Sequence, residues 1–185
     1  MTSPPLGFGI LEPGAGSSPP PAQSSVATSI ASNVVYSGTV HVKVVKADGL
    51  RMHLCRKPAP LVMLRVSVAG VAQPCWLKTN PIPHTRSPEW DQEFVLPVTD
   101  ASQAQLECTI WDTSDAMPIE FSHFLGEVLL NLAKLIPYNG HYVEQVFFVK
   151  QGKTIKSDLE ATGMLRLGIR LDVTRSLEEA RLDKY

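Results

Sequence analysis

The chain is predicted to fold as an all-β protein, an eight-stranded antiparallel β-sandwich. Three observations predict it: from Gly38 onward apolar and polar residues alternate with a period of two, Gly, Pro, Asn and Asp separate the runs, and no long helical pattern interrupts them. The 185 residues suffice for one ordinary domain, and a hydrophobic content of 44% lies in the globular range.

Residues 1–37 stand apart. Six prolines fall in the first 21 residues, Ser, Ala and Gly dominate, and Glu12 is the only charge. Such a segment buries too little apolar surface to offset the entropy of ordering, so 1–37 is expected to be a disordered leader. Ser18-Pro19-Pro20-Pro21 has no flanking basic residue and reads as a spacer more readily than as a polyproline ligand. Val34-Val35-Tyr36 is apolar enough to lie against the domain or a partner.

The first strand is expected at 39–46, where Val40, Val42 and Val44 alternate with His41 and Lys43 before Ala47-Asp48-Gly49 breaks the run. Further strands follow at 61–69, 72–79, 91–98, 105–112, 124–132, 142–150 and 163–174. In 105–112, Leu106, Cys108 and Ile110 face one way and Glu107, Thr109 and Trp111 the other. The last run repeats the pattern with Leu165, Leu167, Ile169 and Leu171 against Arg166, Arg170 and Asp172. A helical turn is expected at 132–135, before Pro137. Ser176-Leu177-Glu178-Glu179 reads as a capping box, so 174–185 is expected to form a short C-terminal helix after a 38–173 domain.

Composition narrows the function classes. Seventeen basic residues balance 18 acidic ones, so no whole-molecule field draws the chain to nucleic acid. Cys55, Cys75 and Cys108 are an odd set without framework spacing, expected to be reduced thiols in a cytoplasmic protein. No apolar run approaches the roughly 18 residues of a membrane-spanning helix. No Lys or Arg precedes Lys43, which fits neither a secretory signal nor a mitochondrial presequence. His53-x-Cys55 and the scattered His84, His123 and His141 have no metal-ligand spacing. No nucleophile elbow or phosphate-cradling glycine loop is present, so the chain is expected to be a binding module without catalytic residues, cofactor or bound metal.

Four stretches carry a family resemblance. They are Val42-Lys43-Val44-Val45-Lys46-Ala47-Asp48-Gly49-Leu50; Lys78-Thr79-Asn80 with Ser87-Pro88-Glu89-Trp90-Asp91-Gln92-Glu93-Phe94; Leu106-Glu107-Cys108-Thr109-Ile110-Trp111-Asp112; and Phe124-Leu125-Gly126. In order and spacing, residues 38–173 resemble the C2 domain family, in what looks like the permuted, type II topology of a eukaryotic protein. Ser87 and Asp91 stand where asparagines are usual. The Pro-x-Trp turn fixes φ at Pro88 and buries the Trp90 ring where the chain reverses.

The resemblance implies a calcium site built from about five aspartates on two neighbouring loops. Calcium takes roughly six to eight oxygens, mostly from carboxylates. Carried over position by position, the ligands fall on Leu54 and Ala59 in loop one and on Asp112, Ser114 and His123 in and after loop three. Only Asp112 is acidic, with Asp115 and Glu120 as displaced substitutes, so calcium independence is expected. Loop one, 51–60, carries Arg51, Arg56 and Lys57 and no acid; loop three, 112–122, carries Asp112, Asp115 and Glu120 and no Lys or Arg. Two readings stand side by side: the loops clasp each other across the ion site, or their charges face solvent.

Two partners are weighed. The first is a protein, bound by an adaptor or scaffold through the leader, the C-terminal segment or a sheet face. The alternative is an anionic phospholipid membrane, reached by the apolar loop residues Met52, Leu54, Met117, Ile119 and Phe121 and by Lys78 with Trp90, which match the family's head-group positions. Trp76, two residues before Lys78, cannot neutralise a phosphate, and one lysine binds an anionic head group weakly. A structural Trp90 and an ordinary surface Lys78 are the plainer reading. The expected location is cytoplasmic, peripheral to membrane or cytoskeleton.

Overall fold

Alternation gives every long strand one apolar face, and those faces can leave water only by meeting each other. The computed structural model describes residues 33–52, 56–113, 123–152 and 160–178. Its strands are β1 (Asn33–Asp48), β2 (Pro60–Val68), β3 (Val71–Ala72), β4 (Leu77–Lys78), β5 (Glu89–Val98), β6 (Ala104–Asp112), β7 (His123–Asn131), β8 (Tyr142–Phe148) and β9 (Met164–Glu178). One sheet has the order β5-β1-β9-β8; the other runs β3-β2-β6-β7, with β4 also on β2. All the strand pairs are antiparallel. Val40, Val42, Val44, Leu165, Leu167 and Ile169 from the first sheet meet Leu64, Val66, Leu106, Cys108 and Ile110 from the second. Cys108 has no exposed surface, and burial pushes its thiol up to about 12.

The domain is an all-β sandwich, as predicted, with four local differences. The expected run 72–79 divides into the two-residue β3 and β4, because Pro74 between them has no N–H to give a ladder. The turn before Pro137 is a 3₁₀ helix, Leu132–Tyr138, whose first turn is capped by the Asn131 side chain accepting from Ala133 N. At the N-terminal side the strand begins at Asn33, five residues earlier than the expected boundary. At the C-terminal side the capping box opens no helix at Ser176, since β9 continues to Glu178.

The last two differences have one cause. Val34 stands opposite Leu177, Val35 opposite Ser176 and Tyr36 opposite Arg175, so each segment supplies the other's ladder. Tyr36 is anchored as well: its carbonyl accepts from Ala101 N at 2.7 Å and its N–H donates to the Asp100 carboxylate at 3.4 Å. A helix of two or three turns is marginal alone in water, whereas β-branched and aromatic residues suit a paired strand. Residues 179–185 and 1–32 lie outside the described residues.

Gly126 shows why glycine follows Phe124-Leu125. The β6–β7 ladder slips there, Ile110 pairing with Gly126 and Trp111 with Phe124, so that Leu125 is the extra residue of a bulge. Gly126 has φ of +148°, and a Cβ would stand 2.3 Å from Val149 Cγ1. The bulge turns Phe124 edge-on to Trp111, ring centroids 5.2 Å apart, beside the end of loop three.

Candidate functional site

The loops at one end of the sandwich are set by where the strands stop. β2 begins with Pro60 opposite Asp112, and Asp112 in turn stands opposite His123 on β7. The two strand pairings therefore bring three of the five carried-over ligand positions, Ala59, Asp112 and His123, to one place. Leu54 and Ser114 lie outside the described residues.

Ala59 and Asp112 hold each other. The Asp112 Oδ1 accepts from Ala59 N at 2.8 Å, and the Ala59 carbonyl accepts from Thr113 N at 3.1 Å and Thr113 Oγ1 at 2.9 Å. Ala59 is 7% exposed and Asp112 4%. A carboxylate oxygen in a charge-assisted bond to a buried N–H is a structural cap on loop one, and ligating a cation with that oxygen would compete with the bond. Asp100 uses the same chemistry at the opposite end. Burial works against its charge, but hydrogen bonds from the hydroxyl and N–H of Ser102, from Gln103 and from Tyr36 N together hold its carboxyl below the usual aspartate range.

Arg51 crosses from loop one to the strand that leaves loop three. Its Nη2 donates to the Phe124 carbonyl, and burial pulls its guanidinium below its ordinary value. It stays charged, as arginine does in proteins. A fixed cation thus stands beside Phe124, immediately after His123. Loop one is also braced from its other side, where Arg86 Nε donates to the Leu50 carbonyl at 2.6 Å and Leu50 N to the Arg86 carbonyl at 3.0 Å. Of the remaining clasp residues, Arg56 and Lys57 are exposed, and Asp115 and Glu120 lie outside the described residues.

The lipid-contact set divides. Met52 is 43% exposed at loop one, Lys78 is exposed on β4, and Met117, Ile119 and Phe121 lie outside the described residues. Trp90 is 7% exposed and packs in the core, so it serves the Pro-x-Trp turn rather than facing a head group. Its indole N–H is buried with no hydrogen-bond partner among the described residues. Trp76 makes a contact that the sequence did not suggest. The Arg65 guanidinium lies 4.3 Å from its ring centroid while Arg65 Nε bonds Glu107 at 2.6 Å. The face of Glu107 on β6 was legible in the alternation of 105–112; Arg65 and the third partner, on the irregular segment before β4, were not singled out by any such signal.

A second feature went unread: a cleft of about 430 Å³ between β7 and β8, lined by Gln105, Leu129, Val146, Phe148 and Lys150 among others. Among the described residues no group of three or more His, Cys, Asp or Glu is placed to hold a metal ion. No described helix is long and apolar enough to cross a membrane.

Comparison with known proteins agrees with this geometry. Residues 38–146 match the model of the C2 domain. The first C2 domain of plant extended synaptotagmin 1 is similar at 25% identity and a TM-score of 0.59, over 76% of this chain and 97% of that one. Human GIVD cytosolic phospholipase A2 gives 20% identity and 0.58 over 77% of this chain, but only 18% of its own length is matched. The calcium-bound pair of C2 domains of extended synaptotagmin 2 gives 18% identity and 0.56, over 74% of this chain and 46% of that one. No curated protein matches by sequence.

Proposed function

The chain belongs to the C2 domain family, and from that membership we propose that it is a calcium-independent interaction module that holds a protein partner, as an adaptor or scaffold without enzymatic activity. C2 domains bind proteins or phospholipid surfaces. The observation that carries the calcium-independent reading is the state of Asp112, the one acidic residue among the five matched positions. One of its oxygens is taken by Ala59 N, and Arg51 holds a positive charge at the neighbouring Phe124 carbonyl. A dication brought there would meet a fixed cation and too few carboxylates to replace its hydration shell. That β1 runs directly into loop one supports the type II reading of the topology.

In this reading the loops are held together by protein groups in place of an ion. Arg51 enters that clasp through the Phe124 carbonyl, and the charges of Arg56 and Lys57 on loop one are complementary in sign to those of Asp115 and Glu120 on loop three. Changing Arg56 and Lys57 to Glu should lower the melting temperature, and adding Asp115→Lys and Glu120→Lys should restore part of it. A double Glu variant as stable as the parent would make these charges a solvated surface.

A membrane-targeting role, also without calcium, is favoured by one observation, the exposed Met52 between Arg51 and the basic stretch at Arg56-Lys57. Apolar tips flanked by cations suit an anionic bilayer. Co-sedimentation with liposomes of varied anionic lipid content, with and without calcium, separates the roles. Pelleting with no lipid mixture leaves the protein-partner role. Pelleting that depends on Met52 and Lys78 and not on calcium favours a cytoplasmic protein peripheral to membranes. Pelleting only with calcium contradicts both.

A further inference from the structure

An asparagine before glycine is chemically exposed, because glycine has no side chain to keep its amide nitrogen away from the asparagine carboxamide. Of the four asparagines here, Asn33 precedes Val34, Asn80 precedes Pro81 and Asn131 precedes Leu132, and Asn139 alone precedes a glycine, Gly140. Pro81 has no N–H to react, and the side chains of Val34 and Leu132 crowd the approach. Asn139 and Gly140 are both exposed, at the corner between the 3₁₀ helix and β8.

The fold nevertheless holds each reacting group of this pair. Tyr138 to His141 form a tight turn, with Asn139 at φ −50° and ψ 132°, Gly140 at φ +78°, and His141 N donating to the Tyr138 carbonyl at 2.9 Å. The Gly140 N–H donates to the Leu171 carbonyl at 2.7 Å, which keeps the proton on that nitrogen. The carboxamide is held at both its polar atoms: Nδ2 donates to the Val173 carbonyl and Oδ1 accepts from Val173 N, each at 2.9 Å. Asn139 thereby serves Val173 as a ladder residue would, beyond the last β8–β9 pair, Tyr142–Arg170. Val173 in turn stands opposite Gly38, next to the ribbon of Asn33–Ser37 with Thr174–Glu178.

We propose that Asn139-Gly140 is a covalent modification site of this domain, deamidating when the turn lifts off β9, and that conversion leaves the turn permanently unfastened. In the open turn the Gly140 nitrogen gives its proton to solvent and bonds to Asn139 Cγ, closing a five-membered succinimide. The Cγ–Nδ2 bond breaks, and the amide nitrogen takes up a proton and leaves as ammonia. Water then opens the ring. Cleavage at Cγ gives aspartate; cleavage at the main-chain carbonyl gives isoaspartate, whose backbone runs through the former side chain. Nothing is oxidised or reduced. Aspartate has no N–H for the Val173 carbonyl and turns a carboxylate toward it, whereas isoaspartate adds a methylene to the main chain and cannot keep the turn.

The test uses the full chain at mildly alkaline pH, folded in buffer or unfolded in guanidinium chloride, with peptide mass mapping over time. Conversion is expected at Asn139, with isoaspartate the larger product, and not at Asn33, Asn80 or Asn131. The two side-chain bonds hold down the open fraction, so the folded chain should convert roughly ten- to a hundredfold more slowly than the unfolded one. Equal rates would overturn the control by the turn. A folded chain still intact after the unfolded chain has fully converted would overturn the site, since opening would then need the whole domain to unfold. Asn139→Asp installs one of the products. Its Gly140 and His141 amide hydrogens should exchange faster than the parent's, while those of Val40, Val42 and Val44 stay as slow. Parent-like exchange at Gly140 would show the turn still fastened and overturn the consequence drawn from the modification.

Discussion

Replacing Asp112 with Ala should destabilise the domain in the complete absence of calcium. The substitution removes the acceptor 2.8 Å from Ala59 N and leaves that N–H at a position where only 7% of the residue is exposed. A hydrogen bond to a charged group contributes about 1.5–3 kcal/mol, and the stranded donor places the loss at the upper end. For a domain of this size that corresponds to a fall of roughly 3–12 °C in melting temperature. Asp112→Asn keeps an oxygen that can accept from Ala59 N and should lose about half as much. The direction of the change discriminates between two roles. In a vacant calcium pocket clustered carboxylates repel, and neutralising one of them raises the stability of the ion-free form. Here the same change lowers it. The assay is thermal and urea unfolding in excess chelator, with the urea slope confirming that only stability has changed. An Asp112→Ala protein as stable as its parent, or more so, refutes the structural role of this carboxylate.

Three further expectations follow from the described contacts. Arg51→Met should destabilise by about 1–3 kcal/mol, through loss of the donor to the Phe124 carbonyl, and the loss should survive high salt because the acceptor is neutral; loss only at low salt would return Arg51 to the solvated charges. Beginning the chain at Asn33 should preserve the melting temperature, whereas beginning it at Gly38 should lower it by several degrees, since Tyr36 and the strand opposite Thr174 to Glu178 are then gone; equal stability would mean the ribbon adds nothing. Asp100, with its carboxyl held below the ordinary value, contributes stability that is complete above the unfolded aspartate value of about 3.9 and is lost as pH falls through its lower folded value. Asp100→Asn should flatten that acid limb in unfolding measured against pH, and an unchanged limb would assign it to other carboxylates.

Much of the architecture was legible because β-sandwich cores repeat a simple signal. Val40-Val42-Val44 and Leu106-Cys108-Ile110 alternate over enough residues to fix the buried face, and the loop positions follow once two strands are in register. What escaped was non-local. Asn33–Ser37 has no charge pattern and follows a Pro-rich run, and its partner, Ser176–Glu178, carries a sound capping box. Only their pairing across more than a hundred residues decides both for strand. The apolar residues around Pro74 read as one strand, but the missing N–H at Pro74 interrupts the ladder between β3 and β4. In the candidate site, the lack of carboxylates at Leu54, Ala59, Ser114 and His123 could be read directly. The use of Asp112 as a cap and of Arg51 as a cross-loop donor could not, because both bonds run to backbone atoms that sequence does not place. The edge position of β8 was hidden for the opposite reason: Val146, Phe147 and Phe148 look like core until the sheet order places β8 last among the described strands of its sheet.

The most direct test of the calcium-independent account is the unfolding of the intact chain by calorimetry with millimolar calcium and with chelator. A ligand that binds only the folded state at a hundredfold excess over its dissociation constant adds about 2.7 kcal/mol, which at this size is roughly 5–11 °C. The account predicts superimposable transitions. A rise of that order, abolished by Asp112→Asn, would contradict it and place a working ion site where Asp112 and Ala59 are bonded.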